Sequence, residues 1–366
     1  MKTKTTQWGR LCIMILIMGF AVVPHDAADI SFDGDFLGGT TYLSTTGKSP
    51  VSQFEYAANL DVNVAITPEI SGLAQLQMSP GNGGMSLNGP GVEVTDLNIT
   101  FWPNRGNTQW VMGSFDMPFG QTVSRLSNNA DVGNQTLIIN PLLYSALGGA
   151  MGTLNVIGVK REQQTRFGNI TLGITNGTDE SAINSDRQFA TIAQWVSPMV
   201  WQDRVNFGVA MANSNDPPNE GLGAALRGGI LDTHVAITPK WSAFGYISAL
   251  RFDDLRSDTV DDVHSVMAEL VYRADPYELA IRVSGWMPQG TGQNRYTPSN
   301  VVGKLPNPGW SDEQAFRLDQ SVYRYELGGA YAIRNDMVLN AQIFFDNYTV
   351  DPVDTLGVLL MVHTQL

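Results

Sequence analysis

The sequence predicts an all-β chain folded as a transmembrane antiparallel β-barrel of about sixteen strands, with a long third loop folded inward. Three observations carry that expectation. From Phe54 to Ile66, Phe54, Tyr56, Ala58, Leu60, Val62, Val64 and Ile66 fall at every second position, against Glu55, Asn59, Asp61 and Asn63. A strand turns successive side chains to opposite faces, so one face must meet something oily and the other water. The same two-sided pattern recurs about sixteen times along the chain. The connections between repeats alternate short and long, as they do in barrels that cross a membrane around a wet interior.

The chain begins with an export signal, residues 1–28. Lys2, Lys4 and Arg10 form its basic part, Leu11 to Val23 its apolar run, and Ala27-Ala28 a small-residue cleavage site. A cut at either alanine leaves 29–366 as the barrel, and takes Cys12, the single cysteine, with the signal. The mature chain then has no thiol for a disulfide or a metal site. Its net charge falls from −13 to −15, because three cations and Asp26 leave together. Such an acidic chain does not suit nucleic acid, which rewards clustered Lys and Arg. Beyond the signal no apolar run is long enough for a membrane helix, so any crossing is by strands.

A first strand spans about Ile30 to Leu43. Short turns are then expected at Thr67–Glu69, Pro103–Asn107, Arg161–Thr165, Ser197–Gln202, Pro239–Lys240, Ala274–Pro276 and Arg334–Asn335. All but Arg161–Thr165 carry Pro, Gly, Asn or Asp, which supply the backbone angles of reversal. The long connections are Thr45–Pro50, Pro80–Gly91, Phe119–Gly149, Gly177–Arg187, Ser214–Glu220, Asp253–Asp262, Pro288–Gln320 and Asn347–Asp354. Seven turns and eight loops join sixteen strands and leave both chain ends on the short-turn side. Between Gly221 and Thr238 the apolar parity changes from Leu226/Ile230 to Val235/Ile237, which predicts a bulge or a different register there. Trp102, Trp110, Trp195, Trp201, Trp241, Tyr272 and Tyr277 lie beside short turns, and Tyr323 and Tyr325 follow a long loop. They are expected to form two interfacial girdles.

Gly113-Ser114-Phe115-Asp116-Met117-Pro118-Phe119-Gly120 resembles the G-x-F-D-x-P-F-G segment of bacterial outer-membrane porin-like barrels, including general porins and relatives of the phosphate-selective porin group. In those proteins the segment ends a strand and runs into the loop that folds inward. The likeness extends over Val94 to Gly158, including Asn128-Asn129-Ala130-Asp131 and Asn140-Pro141-Leu142-Leu143-Tyr144. It carries no substrate information. It implies a homotrimer in the outer membrane of a bacterial cell, with lipid around the barrel. The terminal Leu366 departs from the aromatic residue with which such barrels generally end.

A sixteen-stranded barrel with small or polar inward residues is wide enough for passive diffusion of small hydrophilic solutes and ions. The acidic total favours cations modestly, and only 19 Lys and Arg in the mature chain argue against an anion-specific ladder. A sugar- or anion-selective channel, a barrel enzyme and an adhesive surface barrel are the competing readings. His234, His264 and His363 are far apart, no catalytic or cofactor fingerprint is present, and no metal or cofactor is expected. The expected constriction sets Asp116, Arg125, Asn128, Asn129 and Asp131 of the long loop against the wall arginines Arg227, Arg282 and Arg324, imposing a field across the pore.

Overall fold

The computed structural model describes residues 29–47, 49–79, 91–103, 106–116, 118–120, 155–176, 189–215, 225–254, 259–289, 321–334, 336–348 and 354–365. The strands are β1 (Asp29–Thr45), β2 (Val51–Thr67), β3 (Ile70–Ser79), β4 (Gly91–Phe101), β5 (Thr108–Asp116), β6 (Asn155–Thr165), β7 (Gly168–Thr175), β8 (Ala190–Val196), β9 (Val205–Asn215), β10 (Ala225–Ala236), β11 (Trp241–Asp254), β12 (Thr259–Ala274), β13 (Tyr277–Gln289), β14 (Val322–Arg334), β15 (Met337–Tyr348) and β16 (Thr355–Gln365). Each pairs antiparallel with its neighbours in sequence, and β1 pairs with β16 to close the barrel. The predicted strand count and the alternation of short and long connections both hold.

Boundaries differ in two places. Residues 161–165, expected as a turn, continue β6. Reversal falls at Arg166-Phe167, where the Thr165 hydroxyl donates to the Gly168 carbonyl at 2.7 Å and Gly168 takes a φ of 116°. The loop expected over Asp253–Asp262 shrinks to residues 255–258, because β11 and β12 extend into it.

The outer wall is apolar. Met211, Leu231, Ile247, Leu279, Ile281, Leu327, Val358 and Leu360 are exposed at alternating positions, as lipid contact requires. Trp110, Trp195, Trp201, Trp241, Tyr277 and Tyr331 are exposed beside the short turns and form one girdle. Trp241 packs against Tyr272 and Tyr277 against Tyr331, with ring centroids 4.8 and 5.2 Å apart. Trp102 is not part of that girdle. Its neighbours Ile99 and Phe101 are exposed outside, whereas Trp102 lines the interior.

Strand β10 pairs regularly with both β9 and β11, without a bulge. The parity change seen in the sequence is a change of environment. Ile230 faces inward and is buried while its neighbour Leu231 is exposed on the outer wall. Register shifts fall elsewhere, at Ala65/Thr67, Gln75/Leu76 and Ala332/Arg334.

The interior is two-sided. Along β10 to β16 the inward side chains are buried and many are large: Phe244, Tyr246, Leu250, Met267, Val271, Phe344, Leu359 and Met361. The expectation of small or polar inward residues therefore fails on this side, where the barrel has a packed core. Along β2 to β8 the inward side chains are more polar and many are partly accessible, among them Asn59, Asp61, Asn63, Asn98, Thr100, Lys160, Glu162 and Gln194, although Val111, Phe115, Val156, Thr175, Ala190 and Ile192 are buried there.

Candidate functional site

The open side of the interior holds a cavity of about 780 Å³ at the short-turn end, lined by residues of β4 to β8 and by Pro118. Register builds its floor. Gln109 faces Glu162, Glu162 faces Thr171 and Thr171 faces Gln194, so four strands place one polar row across the wall. A second row runs Asn98, Gly113, Gly158 and Thr175, and a Cβ on either glycine would lie 2.2 Å from a backbone carbonyl oxygen of the neighbouring strand. The Trp102 indole N–H donates to Gln109 Oε1 at 2.8 Å. The Gln109 amide donates in turn to Glu162, which pairs with Lys160 at 2.8 Å. Lys160 also lies 5.0 Å from the centre of the Phe115 ring. This cavity was legible in part. In Leu97 to Trp102 the apolar residues Leu97, Ile99 and Phe101 alternate with Asn98, Thr100 and Trp102, which places Trp102 on the wet side by parity alone.

Next to it, β1 and β2 form an acidic wall. Asp33 and Asp61 are register partners, and Asp35 faces Asn59. Asn63 donates to Asp33 at 3.2 Å, Asn59 to Asp35 at 3.0 Å and Gln75 to Asp61 at 2.8 Å. His363 of β16 lies 3.4 Å from Asp35. Side-chain amides are the main partners of these carboxylates, and an amide brings no positive charge to cancel theirs.

The packed side carries the other charges. Arg282 Nε lies 3.2 Å from Glu269 and 3.3 Å from Glu326, its register partners on β12 and β14. Gln342 donates to Glu326 at 2.6 Å. Arg324 pairs with Asp346 and lies 3.9 Å over the Phe344 ring. At the short-turn end Arg273 donates to Glu278 at 2.9 Å. Glu269, Arg273, Glu278, Arg282, Arg324 and Glu326 all share the inward parity of their strands, as the alternation in the sequence gives it.

The expected constriction is not assembled as drawn. Arg282 and Arg324 have no exposed side-chain surface and are held by carboxylates of the wall, the geometry of bracing. Arg227 is a correction. It shares the outward parity of Leu231, faces Asn213 and Arg251 and is exposed at the loop end of β10. The apolar pair Leu226/Ile230 gives the opposite parity in the sequence, but Ile230 is buried on the inner face. Asp116 closes β5 opposite Asn155, with its side chain outside the described residues. Arg125, Asn128, Asn129 and Asp131 also lie outside them.

The head of the long connection is described. Pro118, Phe119 and Gly120 are buried, and a Cβ built on Gly120 would lie 2.9 Å from Ile230 Cδ1 and 3.2 Å from Asp232 Oδ2. Gly120 follows β5, yet it touches the inner face of β10, five strands further round the barrel. Asp232 lies over Gly208 of β9, where a Cβ would stand 2.2 Å from Oδ1, so a larger residue there would have to displace the Asp232 carboxylate. The three histidines remain apart: His234 stacks on Phe244 with centroids 4.2 Å apart, His363 faces Asp35, and His264 is on the outer wall.

Comparison with solved structures decides the fold. The outer membrane channel DcaP of Acinetobacter baumannii superposes with a TM-score of 0.62 at 12% identity, covering 94% of this chain and 99% of that one. Pseudomonas putida OprB gives 0.63 at 11% identity, covering 98% and 97%. The fold is that of the outer-membrane porin-like β-barrels. An anion-selective porin from Comamonas acidovorans shares it, with a TM-score of 0.59 at 10% identity over 93% of this chain and 100% of that one. No protein-family model and no curated protein sequence matches this porin-like chain.

Proposed function

We propose that the protein is an outer-membrane porin of a bacterial cell, through which small hydrophilic solutes and ions diffuse passively, with a modest preference for cations. The observation that carries this reading is the two-sided wall: apolar outside, and inside polar and accessible along β2 to β8. A barrel of sixteen strands leaves an aqueous passage when its interior is not filled, and here one half is filled and the other is not. The passage therefore runs beside the β2–β8 wall. The carboxylates of Asp33, Asp35 and Asp61 on that wall attract cations through a narrow aqueous path.

The long connection after β5 extends the packed half into the lumen and narrows the passage, with Asp116, Arg125, Asn128, Asn129 and Asp131 on the segment that does so. Lipid surrounds the apolar wall, and three copies assemble. The precursor loses its signal on export by a cut after Ala27 or Ala28, so the mature chain begins at Ala28 or Asp29.

Planar-bilayer recording tests the reading. Stable ohmic conductance is expected, with a reversal potential in a salt gradient on the cation side. Replacing Asp33 and Asp61 together by asparagine moves that potential toward zero. An anion-selective wild type would remove the acidic wall from the selectivity mechanism, and absence of conductance would remove the porin.

A further inference from the structure

We infer that the cavity between β4 and β8 is a binding subsite for an uncharged polyhydroxylated solute, such as a short oligosaccharide. The inference rests on the channel reading and names the class of solute that the passage retains.

The first argument is charge. Among the described residues, the charged side chains that line the cavity are Lys160 and Glu162, which pair at 2.8 Å. Glu162 also accepts from Gln109, and Lys160 lies over the Phe115 ring. An anionic solute would have to compete with Glu162 for its cation, and a cationic solute with Lys160 for its carboxylate. Among the described residues, Asp33 and Asp61 of the acidic wall are met by the amides of Asn63 and Gln75 and not by a Lys or Arg, so the cavity differs from the surface beside it.

The second argument is hydrogen-bonding capacity. A sugar hydroxyl both donates and accepts, and a side-chain amide can answer both with one group. Among the described residues, the side chains of Asn169 and Gln194 have no hydrogen-bond partner, so both amides remain for a solute. Thr171 stands between them in the register and adds a hydroxyl. The volume of about 780 Å³ is within the range of small-molecule sites.

The third argument is preorganisation around an aromatic ring. Trp102 is fixed by its N–H bond to Gln109, which is itself fixed by Glu162 and Lys160. With its polar edge engaged, the indole offers its apolar body to the cavity, suited to the C–H face of a sugar ring. A site held in place by its own wall loses little entropy on binding.

Maltotriose is the probe. Added to a single open channel it should lower the conductance saturably, and Trp102→Ala or Gln194→Leu should raise the half-blocking concentration by about tenfold. Leu231→Ala, on the lipid face, should leave the block as it is. Equilibrium dialysis of detergent-solubilised protein against maltotriose reads the subsite without requiring conduction. Binding without conductance would sink the channel reading and keep the subsite. Conductance with neither saturable block nor binding would overturn the subsite, as would saturable block by inorganic phosphate but not by the sugar.

Discussion

Gly120 sits against Asp232, although one follows β5 and the other lies in β10. With a φ of 90° and the Asp232 carboxylate and the Ile230 methyl both close to its missing Cβ, it marks where the long connection meets the packed half. A side chain there is strained by the backbone and blocked by Ile230. Gly120→Val is expected to destabilise the barrel by about 1–3 kcal/mol, read as an earlier midpoint of urea unfolding in lipid vesicles. An unchanged midpoint would show that this contact does not hold the connection to the wall.

Arg282 is the shared cation of two carboxylates that cannot reach water. Arg282→Met leaves Glu269 and Glu326 buried without it, and the expected cost is about 3–5 kcal/mol. The triple change E269Q, R282M and E326Q should recover most of that loss, because the penalty belongs to uncompensated charge. A triple variant as unstable as the single one would mean that packing, not charge, makes the contribution.

Opposite faces of the wall should respond oppositely to the same residue. Leu231 lies near the middle of β10 and is exposed on the outside, so Leu231→Arg puts a cation into lipid at about 2–4 kcal/mol. Asn63→Arg puts it on the wet side beside Asp33, and is expected to be nearly neutral for stability. Its effect should appear in ion selectivity. Equal losses of stability at the two positions would contradict the assignment of faces.

Much of this architecture could be read from the chain before any coordinates. Strand number, the rhythm of the connections and the inward charges of β12 to β14 all follow from period-two alternation, which is strong wherever lipid lies on one side and water on the other. The reading failed where that contrast disappears. On β10, Ile230 faces a packed interior, so both sides of the strand are apolar and parity loses its meaning; Arg227 was placed inside for that reason. The burial of Arg282 and Arg324 was hidden because alternation tells the face of a side chain but not what covers it. Trp102 was missed for a simpler reason: nearness to a turn was given more weight than its parity with Asn98 and Thr100.

The divided interior also sets which substitutions the chain can absorb. A strand such as β2, whose inward Asn59, Asp61 and Asn63 are polar and partly accessible, is constrained mainly on its outer positions, and drift at its inner ones changes the polar lining. A strand such as β11 has apolar neighbours on both sides and behaves more like the centre of a soluble sandwich. New permeation properties can therefore arise by single changes along one half of the circumference. The other half must vary by coordinated changes or hardly at all.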